Sequence, residues 1–181
     1  MTRCRELLAE VEACEGGFDD WRKFADAVVA LLTHLFVPPL REPYVEYDTS
    51  TVTGTDRRDV IFANRNTNAA AGPWGYLRFE LNAKLIVVEL KNTAADKRAV
   101  EQTVSYMRPE MGQLALICSR EPPNEPAVVK RDQQYNDNPN KPIVLFVGLP
   151  ELREMCDRLE RELDPGDLIV DMVERFYMQR G

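Results

Sequence analysis

Eight residues, Lys84 to Lys91, constrain the fold more than any other part of the chain. Leu85-Ile86-Val87-Val88 is apolar at every position, so neither face of a strand built from it can be turned to water. Such a strand belongs in the middle of a sheet covered by helices on both sides, the arrangement of α/β proteins. The run then ends in charge, Glu89-Leu90-Lys91-Asn92. Side chains alternate along a strand, so Glu89 and Lys91 point to the same side. A carboxylate and an amine are therefore expected to share one site at the end of a buried strand.

Other segments supply the rest of a mixed sheet flanked by helices. Asp59-Val60-Ile61-Phe62-Ala63 reads as an apolar strand entered through Arg57 and Arg58, and Leu114 to Cys118 as a second buried strand. Pro142 to Val147 reads as a strand whose initial proline predicts an edge position. Pro43 to Asp48 fits a short strand, with Tyr44 and Glu46 on one face and Val45 and Tyr47 on the other; Thr49 to Thr55 is either a loop or a ragged extension of it.

Trp21, Phe24, Val28, Leu31, Leu32 and Leu35 recur at helical spacing and predict a helix from Phe18 to Phe36, capped by Asp19 or Asp20 and ended by Pro38 and Pro39. Asn64 to Gly72 reads as a loop, Pro73 to Leu81 as a short helix, and Asp96 to Met107 as a longer one. Glu121 to Asn140, rich in Pro, Asn and Asp, reads as irregular apart from one turn near Val128. A C-terminal helical hairpin covers the sheet with two stripes, Leu152, Met155, Leu159 and Leu163, then Ile169, Val173 and Phe176, around the turn Asp164-Pro165-Gly166-Asp167.

With 181 residues, 44% of them hydrophobic, the chain has the size of one domain. Its longest apolar stretch, Ala25 to Val37, is broken by Asp26 and His34, and the N-terminus has no apolar signal core, so a soluble cytoplasmic protein without a membrane partner is expected. Cys4, Cys14, Cys118 and Cys156 form no Cys-x-x-Cys pair, which points to four reduced thiols and away from zinc or a disulfide framework. His34, the one histidine, lies among leucines and is expected to pack near the core. Chemistry then rests on carboxylates, lysine and metal. The nine glycines supply no phosphate loop, which argues against nucleotide binding.

Asp59 opens the strand preceding Lys84–Lys91. If the two strands are antiparallel neighbours, its carboxylate lies close to Glu89, and with the Leu90 carbonyl the pair offers hard oxygen ligands suited to Mg²⁺. Lys91 would hold or help deprotonate a water and balance charge on a phosphate.

An acidic residue, then an apolar-apolar-Glu89-Leu90-Lys91 strand end, then a helix, resembles the PD-(D/E)XK, or restriction-endonuclease-like, nuclease superfamily. The resemblance spans roughly Phe18 to Val147 and places the family's acidic pair and lysine on Asp59, Glu89 and Lys91. Where the family often has a proline before its first acid, this chain has Arg58. Many members add an acid from the first helix; Asp26 is the best candidate for it, Glu42 and Glu46 poorer ones.

Gln102 and Tyr106, four apart and away from the apolar face of Val100, Val104 and Met107, resemble the Gln-x-x-x-Tyr pair of the RecB-type and exonuclease branches, where it faces the active site. Arg57, Arg58, Asn92 and Arg120 flank strand ends where phosphate oxygens would lie.

What the resemblance implies is Mg²⁺- or Mn²⁺-dependent cutting of DNA, or of RNA, in restriction, phage defence or repair. Net charge is −7, yet Arg57 to Lys141 carries thirteen basic against ten acidic residues, so the acidity lies in the flanks. No DNA-reading motif accompanies the domain, so targeting falls to a homodimer, a further domain or a partner protein. The rival reading is a non-catalytic module of the same fold, binding nucleic acid or a partner protein, in which Glu89 and Lys91 form an internal ion pair.

Overall fold

The computed structural model describes residues 2–17, 19–48 and 57–180, with 46–48 and 57–59 described by backbone alone. The expected helix start at Phe18 and the segment Thr49 to Thr55 fall outside the described residues. Chain order is α1 (Arg3–Glu12), α2 (Trp21–Phe36), β1 (Tyr44–Asp48), β2 (Arg57–Ala63), α3 (Gly72–Glu80), β3 (Leu85–Ala94), α4 (Lys97–Tyr106), β4 (Leu114–Glu121), α5 (Glu125–Asp137), β5 (Ile143–Val147), α6 (Leu149–Glu160) and α7 (Asp167–Met178). The strands form one open mixed sheet in the order β1-β2-β3-β4-β5. Both pairings of β2 are antiparallel and both pairings of β4 are parallel. β3 is central and β5 lies at an edge, as its apolar run and Pro142 respectively predict.

Strand alternation divides the core in two. Val60, Phe62, Ile86, Val88, Leu90, Leu114 and Leu116 face the larger cluster, built with α1, α2, α3, α6 and α7. Ile117 and Val144 face the smaller one, closed by Ala99, Val100 and Val104 of α4 and Ala127 of α5. In the larger cluster Phe36 packs edge-on against Trp74 and Phe62, at centroid distances of 4.8 and 5.9 Å. Each such side chain removed from water contributes about 2 kcal/mol. No helix among the described residues is long and apolar enough to cross a membrane.

The structure adds one helix that the sequence reading leaves unassigned and departs from that reading at several other points. α1 is a full helix, with Cys4, Leu7, Leu8 and Val11 buried at the i, i+3, i+4, i+7 spacing of an amphipathic face. The stretch read as irregular contains the 13-residue helix α5, started by Asn124, whose side chain accepts from the Ala127 N–H, and by Pro126 in its first turn. Only Ala127 on it is fully buried, so the helix carries no apolar period to read. His34 lies on α2 as expected but on its exposed side. Leu163 falls in the turn after α6 and is exposed.

Two of the four cysteines are not the reduced thiols that the sequence suggests. Cys4 and Cys156 form a disulfide across 152 residues, with their Cα atoms 5.8 Å apart. It joins α1 to α6, and the Arg5 guanidinium reinforces the joint on Asp157 and Glu160. Spacing along the chain carries no trace of a contact this remote. The cytoplasmic setting, expected in part from reduced thiols, loses that support.

Candidate active site

β2 and β3 are antiparallel neighbours, and their register pairs Asp59 directly with Glu89. Directly opposed positions of an antiparallel pair share a face of the sheet. The β1–β2 register continues the row, pairing Glu46 with Asp59. Across the parallel strands the row runs on through Ile117 to Phe146. Three acidic positions therefore stand side by side on adjacent strands, on the face covered by α4 and α5.

Glu89 is 4% exposed, and its Oε1 lies 3.0 Å from Lys91 Nζ. The lysine side chain keeps 30% of its surface accessible. One end of the ion pair is thus dry and the other reaches solvent. Ser119 of β4 pairs in register with Lys91 on the same face. Its hydroxyl donates to the Glu121 carbonyl oxygen at 2.8 Å. These groups lie at the carboxyl ends of parallel strands, where open α/β sheets place their ligands.

β3 is bulged immediately beyond Lys91: three steps from Lys91 to Ala94 match two from Ser119 to Glu121. A bulge re-aims side chains and ends regular pairing, and bulges concentrate next to functional sites. Here it carries Asn92, which is buried and tied to the α1–α2 connection. Its Nδ2 donates to the carbonyl oxygens of Glu15, at 2.7 Å, and Gly17, at 2.9 Å, while the Gly17 N–H donates to the Asn92 carbonyl oxygen. Arg120 works alongside, donating at 3.4 Å to the Val11 and Glu12 carbonyl oxygens at the end of α1. Asn92 and Arg120, two of the four residues read from sequence as phosphate ligands, thus have donors engaged in buttressing the strand ends.

On α4, Asp96 caps the N-terminus by accepting from the Ala99 N–H at 2.7 Å. Gln102 and Tyr106 are half-buried one turn apart, and Gln102 Nε2 donates to the Tyr106 hydroxyl at 3.3 Å. The helix covers the same sheet face as the acidic row. Lys130 of α5 reaches Glu101 at 2.9 Å, and this bond holds the Glu101 carboxyl below its ordinary pKa.

The remaining candidates are placed as follows. Asp26 is exposed on α2, which packs on the opposite sheet face, and it lines a cleft of about 650 Å³ with Glu10, Asp19 and Lys23. The Leu90 side chain is buried in the larger core, and the paired register of β2 with β3 stops one residue before it. Alternation puts position 57 on the face of position 59 and position 58 on the other. Among the described residues no cluster of three or more His, Cys, Asp or Glu side chains is arranged to hold a metal. Glu46 comes beside Asp59, and Ser119 beside Lys91, only through strand register, which the sequence alone does not display.

Comparison with protein-family models, with curated proteins and with solved structures found no match.

Proposed function

We propose that this chain is a metal-dependent nuclease on a restriction-endonuclease-like fold, hydrolysing DNA phosphodiester bonds in restriction, phage defence or repair. The observation that carries the reading is the direct pairing of Asp59 with Glu89 at the end of a buried strand, with Lys91 beside them. A core gains nothing from acids paired there, and like charges on opposed positions repel unless a cation lies between them.

The donors suit Mg²⁺ or Mn²⁺: carboxylates at positions 59 and 89, the Leu90 carbonyl, and a third acid that register favours at Glu46 over Asp26. Bound there, the ion supplies Lewis-acid activation of a phosphate and of a water. Glu89, shielded from solvent, holds its carboxylate in one place. Lys91 places its Nζ beside that carboxylate, where it can orient a water and balance charge gathering on the phosphate. Gln102 and Tyr106, already bonded to each other, offer donors on the same face.

The closed Lys91–Glu89 pair also favours a second reading, a non-catalytic module in which the pair is internal and the fold holds nucleic acid or a partner protein. Plasmid cleavage separates the two. Nicking or linearisation with Mg²⁺ or Mn²⁺, abolished by EDTA and by Lys91→Ala, is the expected result. Cleavage equal in wild type and Lys91→Ala, or none with either metal while Mn²⁺ titration also detects no binding, would overturn the nuclease reading.

A further inference from the structure

Two arginines meet beside the edge strand β5. Arg131 of α5 and Arg180, just beyond α7, keep only 15% and 16% of their side-chain surface accessible. Arg131 Cζ stands 5.4 Å from the Phe146 ring centre and 5.2 Å from that of Phe176, and Arg180 Cζ stands 3.5 Å from the latter. Both guanidinium groups share a single carboxylate oxygen, Asp132 Oδ1, which accepts from Arg131 Nε at 2.9 Å and from Arg180 Nη2. Lys141 and Arg180 also lie over the Tyr135 ring, at 5.5 and 5.6 Å.

This neighbourhood is short of negative charge. Among the described residues Asp132 is the only carboxylate in ion-pair reach of Arg131, Arg180 or Lys141, which leaves three cations against one anion. Glu125 and Asp137, the other acids of α5, lie six residues to either side of Arg131, over one and a half helical turns away. On α7, Glu174 lines the separate α6–α7 cleft with Arg158, Asp171 and Arg175. Burial lowers the pKa of both arginines, and Arg131 lowers that of Arg180 further. Buried charge of one sign is costly unless an opposite charge meets it. Arg131 Nη1 and Nη2 donate to no acceptor among the described residues, and unlike Arg180 Nε they are not sealed from solvent. Two such groups make the fork that takes two oxygens of one phosphate. The excess of two positive charges suits phosphate, as a free dianion or as successive groups along a strand, better than a single carboxylate.

We infer that Arg131, Arg180 and Lys141 form a binding site for a phosphate group, with the Arg131 Nη fork as its principal ligand. The group comes either from free phosphate or from a polynucleotide backbone, and the second source rests on the nuclease reading. Phe146, beneath Arg131, stands in the register row of Asp59 and Glu89, two strands from Glu89 and so about 10 Å along the sheet. That is close enough for one strand of nucleic acid to touch both.

Two titrations in EDTA separate the sources: calorimetry with inorganic phosphate, and fluorescence anisotropy with a short labelled single-stranded DNA at low salt. Wild type binds at least one of them. Arg131→Gln weakens that binding about tenfold or more. Asp132→Asn, which removes the competing carboxylate, tightens it. Lys84→Gln, which removes an exposed cation elsewhere, leaves it unaltered. Circular dichroism checks folding, and Arg131→Lys, which keeps the charge and loses the fork, stands in if Arg131→Gln unfolds.

Loss of phosphate binding with DNA binding intact identifies free phosphate as the ligand, and loss of DNA binding identifies the backbone. No binding of either by wild type, binding that survives loss of the Arg131 fork, or equal weakening by Lys84→Gln overturns the proposal. None of these readouts needs cleavage, so this site and the nuclease reading can fail separately.

Discussion

Lys91 Nζ sits 3.0 Å from Glu89 Oε1, an amine reaching solvent paired with a carboxylate that does not. Removing the lysine strands a buried negative charge, a loss that costs more than the pair itself is worth. Lys91→Ala should therefore destabilise the fold by about 2–3 kcal/mol in urea unfolding at neutral pH. In a Glu89→Gln background the same change should cost under about 1 kcal/mol. Equal losses in both backgrounds would show that the lysine acts through packing alone.

Metal uptake is predicted to follow the strand register. In Mn²⁺ calorimetry Asp59→Asn should abolish binding, and Glu46→Gln should weaken it about tenfold or more. Asp26→Asn, on the helix packed against the other sheet face, should weaken it less than Glu46→Gln. The reverse ranking would place the third ligand on α2.

Asn92→Ala removes two hydrogen bonds to the Glu15 and Gly17 carbonyl oxygens from a buried site. Stability should fall by about 2–3 kcal/mol. Hydrogen exchange at the Gly17 amide, which is bonded to the Asn92 carbonyl, should quicken more than at β4 amides. Uniform acceleration across the sheet would mean that Asn92 does not act locally.

The thiols make two linked predictions. Cys14 and Cys118 are free and buried, and Cys4 and Cys156 are bonded. A thiol reagent should label almost nothing in the native protein, two cysteines after unfolding, and four after unfolding with reductant. Reduction should lower stability by about 2–4 kcal/mol, and Cys4→Ser/Cys156→Ser should be indifferent to reductant.

Burial pushes the Cys118 thiol from 9.0 up to about 12. Above the ordinary thiol range the unfolded chain loses this proton while the folded chain keeps it, so stability falls as pH rises. Between those two values wild type should lose about 1.4 kcal/mol per pH unit relative to Cys118→Ala. Parallel pH profiles would overturn the assignment.

The parts of this molecule legible in its sequence are those whose environment is uniform along the chain. β3 announces its central place because both of its faces are buried, and α2 its helix because one stripe is apolar. α5 stays hidden because it buries a single alanine, and only Asn124 and Pro126 betray it locally. α1 does show its stripe, but the alternating Arg3, Arg5, Glu6 and Glu10 draw attention from it. The acidic row is half legible: Glu89 and Lys91 follow from alternation within one strand. Setting Asp59 and Glu46 beside them takes two registers, fixed by turns and packing rather than by residue type. The disulfide depends on tertiary contact alone.

That disulfide makes the chain a closed ring from residue 4 to residue 156. Pulled from points on either side of that ring in the oxidised state, the molecule keeps the chain between the two cysteines out of reach, roughly 500 Å of it when fully extended. A protease or translocase that unravels its substrate from one terminus would halt at the first knot of sulfur until a reductant released it.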